Sequence, residues 1–136
     1  FFEKMKPGAV FINASRGEVL QEEALIGHSD RLSAVVIDVW KNEPDINLEL
    51  LKAADIATPL IAGYSQEGKR NATSAVLKAV AGHFGIDALM KKAEEFDSKT
   101  VIKTYSPGGY DITADDRALR SHPELFEKIR NNYNYR

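Results

Sequence analysis

Cysteine is absent from this 136-residue chain, which excludes disulfides and thiol chemistry. The absence fits a reducing compartment, and we expect a cytoplasmic protein. No apolar run approaches the length of a membrane span and no signal peptide is visible, so we expect no membrane partner. The formal net charge of −2 gives no reason to expect nucleic acid as a partner.

Two further features are missing. The sequence contains no G-x-G-x-x-G segment, the glycine-rich loop that holds a dinucleotide pyrophosphate, and it does not begin with methionine. Residues 1–8 resemble the end of an element followed by a Pro-Gly turn. We therefore expect a fragment that starts inside a domain.

Short apolar runs alternate with helical patterns in the first half of the chain. Residues 9–13, 32–39 and 55–57 are predicted strands, and residues 18–26 and 47–54 between them have helical spacing. This alternation is typical of a parallel sheet with crossover helices. The predicted fold class is α/β.

The pattern changes in the second half. Ser65 is predicted to cap a long helix that runs to about residue 84. Further elements are predicted beyond it: a helix at 87–96, a strand at 100–105, a turn at 106–109 and a C-terminal helix. We predict two parts, residues 1–85 and a small α+β region formed by residues 86–136.

Three polar segments, 13–17, 36–44 and 58–64, each follow an apolar run. Because the carboxyl ends of parallel strands meet at one edge, where open α/β sheets bind ligands, we expect these segments to converge. Arg16 suits bidentate binding of a carboxylate, although a surface arginine in a turn would look the same. Asp38 ends a buried strand and needs a partner, either a ligand amide or a cap or salt bridge.

Glu43, in the sequence Asn-Glu-Pro, also has two interpretations. It is either a solvated loop residue or a carboxylate that raises the pKa of a neighbouring histidine and so keeps it fit for proton transfer. Each of these residues is a weak signal alone. Their order and spacing together, followed by Thr-Pro-Leu-Ile-Ala-Gly-Tyr at 58–64, form a much stronger one.

Taken together, these segments resemble the D-isomer-specific 2-hydroxyacid dehydrogenases, NAD-dependent enzymes built on a Rossmann domain. Residues 61–69, 115–120 and 126–133 narrow the resemblance to one branch of that family, which acts on a small phosphorylated 2-hydroxy acid. The resemblance implies the C-terminal half of a Rossmann-type parallel sheet, followed by a dimerisation region at 86–136. It also implies a homodimer.

The resemblance implies specific roles for this chain's residues. Arg16 would be catalytic, holding the substrate carboxylate, and Glu43 would be catalytic by orienting a histidine. Contacts with NAD or substrate are implied at further positions: Ala14, Ser15, Arg16, Asp38 and Gly63 for the cofactor, and Tyr64 for the phosphorylated substrate.

The chain departs from the family at one decisive position. The catalytic histidine would stand at position 60, which is Leu60 here. Leucine cannot accept a proton, and loss of a general base typically costs about 10²–10⁴-fold in rate. Three hypotheses about function remain open: an enzyme fragment that is inactive alone, a non-catalytic relative that dimerises or regulates, and a dehydrogenase for another D-2-hydroxy acid.

Overall fold

A computed structural model describes residues 1–98 and 110–133, which fall into two compact units. The first unit contains residues 1–62 and 111–133. The second contains the described residues between 63 and 110. The strand predicted at 100–105 and the turn predicted at 106–109 lie outside the described residues.

The first unit is built on a parallel sheet of three strands in the order β1-β2-β3. The strands are β1 (Val10–Asn13), β2 (Ala34–Ile37) and β3 (Ile56–Ala57). Asn13 pairs with Ile37 at the carboxyl end of β1, and Ile37 pairs with Ala57. The predicted α/β fold with three parallel strands is therefore confirmed.

Four α-helices cover this sheet: α1 (Glu22–Ile26), α2 (Leu48–Ala53), α5 (Ile112–Ser121) and α6 (Phe126–Asn131). Single turns of 3-10 helix lie at Phe2–Lys4, Gly17–Val19, Ser29–Arg31 and Pro123–Leu125. The core joins strands and helices through fully buried side chains: Leu25, Val35, Ile37, Trp40, Leu50, Ala57, Leu119 and Phe126. Burial of these apolar groups is the main stabilising term for the unit.

Helix α5 binds the β3 edge of the sheet through one ion pair. The Asp116 carboxylate accepts a hydrogen bond from the Ala57 N–H at 2.7 Å, so a side chain satisfies a donor of this edge strand. The Arg120 guanidinium pairs with Asp116 and donates to the carbonyls of Leu51 and Ala54 at 2.7 Å each. Residues 111–133 thus fold together with the sheet.

The second unit is a helical hairpin of α3 (Gln66–Phe84) and α4 (Asp87–Ser98). The predicted cap is confirmed, because the Ser65 hydroxyl accepts a hydrogen bond from the Gly68 N–H at 2.9 Å. Gly85 ends α3 with φ +65°, a conformation that glycine adopts without steric cost. The predicted boundary between residues 85 and 86 lies at this turn, inside the second unit. The dimerisation role of 86–136 stays a prediction.

The contact between α3 and α4 uses small side chains. Ser74 and Ala81 of α3 and Ala93 of α4 are buried, and the Ser74 hydroxyl donates to the Ala93 carbonyl. Val76, on another face of α3, is 62% exposed. Among the described helices, none is both long enough and apolar enough to cross a membrane.

Candidate active site

Loops that follow the three strands meet at the carboxyl edge of the sheet. The Asp38 N–H donates to the Asn13 carbonyl at 3.0 Å, and the Leu60 N–H donates to the Asp38 carbonyl at 2.7 Å. The chain is therefore hydrogen-bonded from the end of β1 to the end of β2 and on to the segment after β3. The structure brings the loops that carry Arg16, Asp38, Glu43 and Leu60 to one edge, as the sequence predicted.

Asn13 folds the loop after β1. It is buried, and its Oδ1 accepts hydrogen bonds from the Ser15 backbone N–H at 3.2 Å and from the Ser15 hydroxyl at 2.9 Å. Its Nδ2 donates to the Arg16 carbonyl at 3.1 Å. One asparagine thus fixes a tight turn of the kind that Asn favours. Ala14, Ser15 and Arg16 are left exposed on its outside.

Arg16 presents a cation at the strand end. Its Nη1 donates to the Ser15 carbonyl at 2.6 Å, which holds the side chain against its own loop. No carboxylate in the described part of the chain forms a salt bridge with it. A guanidinium held this way can bind an anionic ligand with two parallel hydrogen bonds.

Gly17 allows the loop after β1 to pack closely against the loop after β2. A Cβ at this position would lie 2.0 Å from the Trp40 carbonyl carbon, a distance that no real contact reaches. Only glycine permits the two backbones to approach so closely. The relative placement of Arg16 and of the loop that contains Glu43 depends on this contact.

The Asp38 carboxylate is 4% exposed and binds the segment after β3. Its Oδ1 accepts from the Thr58 hydroxyl at 2.6 Å and from the Ile61 N–H at 2.8 Å, and its Oδ2 accepts from the Ala62 N–H at 3.0 Å. The chain's own donors therefore provide the partners that a buried carboxylate requires. Oδ2, with one such bond, has room for one more donor.

Leu60 lies in the segment that Asp38 holds. Its φ of +56° is in the left-handed region, which is uncommon for a bulky residue and several-fold enriched in Asn, Asp and His. Such a conformation persists only where the surroundings impose it, and here the hydrogen bonds of Asp38 do so. The half-buried Leu60 side chain packs against the core.

Glu43 is half-buried in the loop after β2. Its Oε1 accepts from the Trp40 N–H at 2.8 Å, and its Oε2 accepts no hydrogen bond from the described residues. The Trp40 indole Nε1 in turn donates to the Thr58 carbonyl at 2.9 Å. The carboxylate is thus oriented through one oxygen, while the other can take a further partner.

Gly63 and Tyr64 belong to the second unit. Apart from its chain neighbours, no described residue places a heavy atom within 4 Å of a Cβ built on Gly63. The Lys69 ammonium lies 5.5 Å from the centroid of the half-buried Tyr64 ring. The predicted roles of Gly63 and Tyr64 stay predictions.

Sequence reasoning assigned no role to three buried polar residues at this edge, Asn13, Glu22 and Thr58. Asn13 carries a usable signal, since an asparagine at a strand end followed two residues later by serine favours this kind of turn. Thr58 and Glu22 carry no such signal, because their partners are distant in the sequence. Thr58 binds Asp38, 20 positions away, and Glu22 binds Lys41 and Asn47, 19 and 25 positions away.

Comparison with known proteins finds a family whose model matches the first part of the chain. Residues 1–62 match the NAD-binding domain of the D-isomer specific 2-hydroxyacid dehydrogenases. The match covers the sheet and all the loops at its carboxyl edge up to Ala62.

Curated relatives extend the similarity to nearly the whole chain. The chain is 46% identical over 140 residues to an erythronate-4-phosphate dehydrogenase of Bacteroides fragilis, with 98% of the chain and 40% of that protein covered. It is 39% identical to the Bacteroides thetaiotaomicron enzyme of that name, again covering 98% of the chain and 40% of the relative. The Escherichia coli O1:K1 enzyme is 40% identical, with 95% and 39% covered. The chain thus spans about 40% of the length of these dehydrogenases.

Proposed function

We propose that this chain is the C-terminal part of an NAD-dependent dehydrogenase that oxidises 4-phospho-D-erythronate to the 2-oxo acid, a step toward pyridoxal 5'-phosphate. The observation that carries the proposal is the convergence of Arg16, Glu43 and position 60 on one edge of the sheet. The identity to proteins named erythronate-4-phosphate dehydrogenase supports this substrate over other D-2-hydroxy acids.

The residues at the edge fit the nicotinamide end of NAD. The acceptor position on Asp38 Oδ2 that no described residue fills suits a carboxamide N–H. Ala14 and Ser15 are exposed and can line the cofactor site. When bound, NAD accepts the hydride from C2 of the substrate.

The chain's own residues bind and orient. Arg16 holds the substrate carboxylate through its guanidinium and so fixes the reacting carbon. Tyr64 contacts the phosphorylated end of the substrate. Glu43, held through Oε1, offers Oε2 to a proton-carrying side chain at position 60. Leu60 cannot carry that proton, so we expect binding with very slow turnover.

We also propose a cytoplasmic homodimer. Exposed apolar side chains in the second unit support self-association, because Val76, Phe84 and Ile86 are 62%, 67% and 41% exposed. The second candidate function, a non-catalytic relative that acts as a dimerising or regulatory partner, is favoured by one observation: Leu60 in place of a proton acceptor.

A chimera tests the proposal. Residues of the Bacteroides fragilis relative that precede the matched region are joined to this chain, and NAD and substrate binding is measured by calorimetry and turnover by NADH absorbance. We expect both ligands to bind, and L60H to raise turnover by at least about 10²-fold, the lower end for general acid–base catalysis.

The matched control is L60N. Asparagine tolerates the same left-handed backbone but cannot serve as the base, so it separates relief of backbone strain from proton transfer. L60N should leave turnover slow. If L60H also leaves turnover flat while both ligands bind, the non-catalytic function replaces the enzyme. Brisk turnover of the Leu60 form would mean that another group is the base.

A further inference from the structure

A buried carboxylate outside the predicted site holds the loop that carries Glu43. Glu22 is the first residue of α1 and is only 4% exposed. Its Oε1 accepts from the Lys41 N–H at 3.1 Å, and its Oε2 accepts from the Asn47 Nδ2 at 3.0 Å. Lys41 and Asn47 stand on either side of Glu43, so one carboxylate ties down both ends of this loop.

The orientation of the Asn47 amide is fixed by α2. Its Oδ1 caps the helix by accepting from the Glu49 N–H at 2.9 Å and the Leu50 N–H at 3.3 Å. A flip of the amide would lose both bonds, so Nδ2 must donate toward Glu22. Both groups that face Glu22 are therefore donors, and only a side chain with two acceptor oxygens satisfies both.

We propose that Glu22 is a positioning residue for Glu43: its carboxylate sets the conformation of the 41–47 loop and, through it, the direction of the Glu43 side chain. The role of Glu43 itself rests on the proposed function. The two hydrogen bonds that Glu22 accepts from Lys41 and Asn47, called the clamp below, do not rest on it. Their effect on the loop is measurable in this chain without any turnover.

The test uses E22Q and a matched control, E23Q. Glutamine keeps the size of the side chain but has one acceptor oxygen, so either the Lys41 N–H or the Asn47 amide loses its partner. Glu23 is the same residue type at the next position of α1 and is exposed. The readout is amide hydrogen exchange by NMR at the loop residue Lys41 and at the residues that flank the loop (Trp40, and Glu49 and Leu50 in the first turn of α2), with the β2 amides as the internal reference.

We expect E22Q to speed exchange in the loop at least about 10-fold, the effect of losing a hydrogen bond to a charged group, with β2 unchanged. E23Q should change neither. The backbone amide signal of Trp40 should also shift in E22Q, because this N–H donates to Glu43 Oε1. This signal reports on the Glu43 contact directly.

A second substitution should restore the clamp. In E22Q/N47D the donor and the acceptor exchange places: the introduced amide donates, and the introduced carboxylate accepts while still capping α2. We expect E22Q/N47D to return loop exchange and the Trp40 signal to their original values. N47D alone should behave worse than the double variant, because two carboxylates then face each other.

Two outcomes of the E22Q experiment would overturn the proposal, and a third is decided by the double variant. Unchanged loop exchange in E22Q would show that the clamp does not set the loop. Equal acceleration in the loop and in β2 would show a general loss of stability instead. If E22Q does not fold, E22Q/N47D decides: a folded protein with native loop exchange supports the clamp, and any other result contradicts it. Failure of the L60H chimera to turn over would leave all of these outcomes unaffected.

Discussion

The two compact units differ in what they bury. The first unit buries large apolar side chains together with four polar ones, Asn13, Glu22, Asp38 and Thr58. In the described part of the second unit, the buried residues are Ser74, Ala81 and Ala93. Large apolar side chains are exposed in both units, for example Ile12 and Val19 in the first and Val76 and Phe84 in the second.

This difference shows how each unit suits its proposed role. Buried polar groups demand partners with defined geometry, so those of the first unit fix the loops that carry Arg16, Glu43 and Leu60. A hairpin that buries only small side chains in its described part has little core of its own, and association that covers its exposed apolar side chains would stabilise it. Substitutions at the buried polar residues and the close backbone contacts of the first unit should therefore be costly, and those at exposed positions of the second unit should be mild.

The largest expected effect separates two glycines. G17A places a Cβ 2.0 Å from the Trp40 backbone and should destabilise the first unit by more than about 3 kcal/mol, because neither backbone can move without breaking the loop contact. G82A is the matched control. Gly82 lies inside α3 with open space around it, and alanine should stabilise the helix by about 0.5–1 kcal/mol. Thermal unfolding monitored by circular dichroism measures both, and equal stabilities would contradict the comparison.

Asp38 should give the next effect. In D38N the amide nitrogen would face an N–H or hydroxyl donor, so at least one buried hydrogen bond is lost and stability falls by about 2–3 kcal/mol. Urea titration measures the loss. D30N, at an exposed aspartate, should be within about 0.5 kcal/mol of the parent. A D38N protein as stable as D30N would show that the carboxylate does not hold the 58–62 segment.

Self-association tests the second unit. We expect the chain to be a dimer in light scattering at high micromolar concentration, and F84S to weaken dimerisation by about 10-fold in Kd, the effect of truncating an interface hot spot, which costs more than about 1 kcal/mol. Phe84 is 67% exposed, so the substitution should leave the helix content unchanged. A monodisperse monomer in the parent protein would remove the basis for the proposed homodimer.

The smallest effect concerns acid stability. The hydrogen bond that the Lys78 ammonium donates to the Asp97 carboxylate is the main cause that lowers the pKa of Asp97 below its usual 3.8. A pKa that is lower in the folded state than in the unfolded state stabilises the folded state at pH values above the unfolded pKa. This stabilisation is lost as the pH falls through the folded pKa. K78M should therefore lower the Tm slightly near neutral pH and flatten its decline in acid. K91M, at an exposed lysine, is the control. A parallel decline in parent and K78M would show that the exposed pair contributes nothing.

Local sequence pattern predicted the elements, and long-range hydrogen bonds account for what it missed. The three strands, the Ser65 cap and the long α3 follow from apolar spacing and capping residues close in sequence. Arg120 binds the Leu51 carbonyl 69 positions away, so no local signal could place α5 on the sheet. Glu22 and Glu23 are likewise indistinguishable in sequence, although one clamps a loop and the other faces solvent.

The pH–rate profile of the chimera tests the central claim most directly. With L60H in place, the oxidation rate should rise as the introduced imidazole loses its proton. The Glu43 carboxylate raises that imidazole's pKa, so E43Q in the L60H background should move the acidic limb about one unit or more to lower pH. An acidic limb that stays where it was, at an unchanged level of ligand binding, would contradict the pairing of Glu43 with position 60.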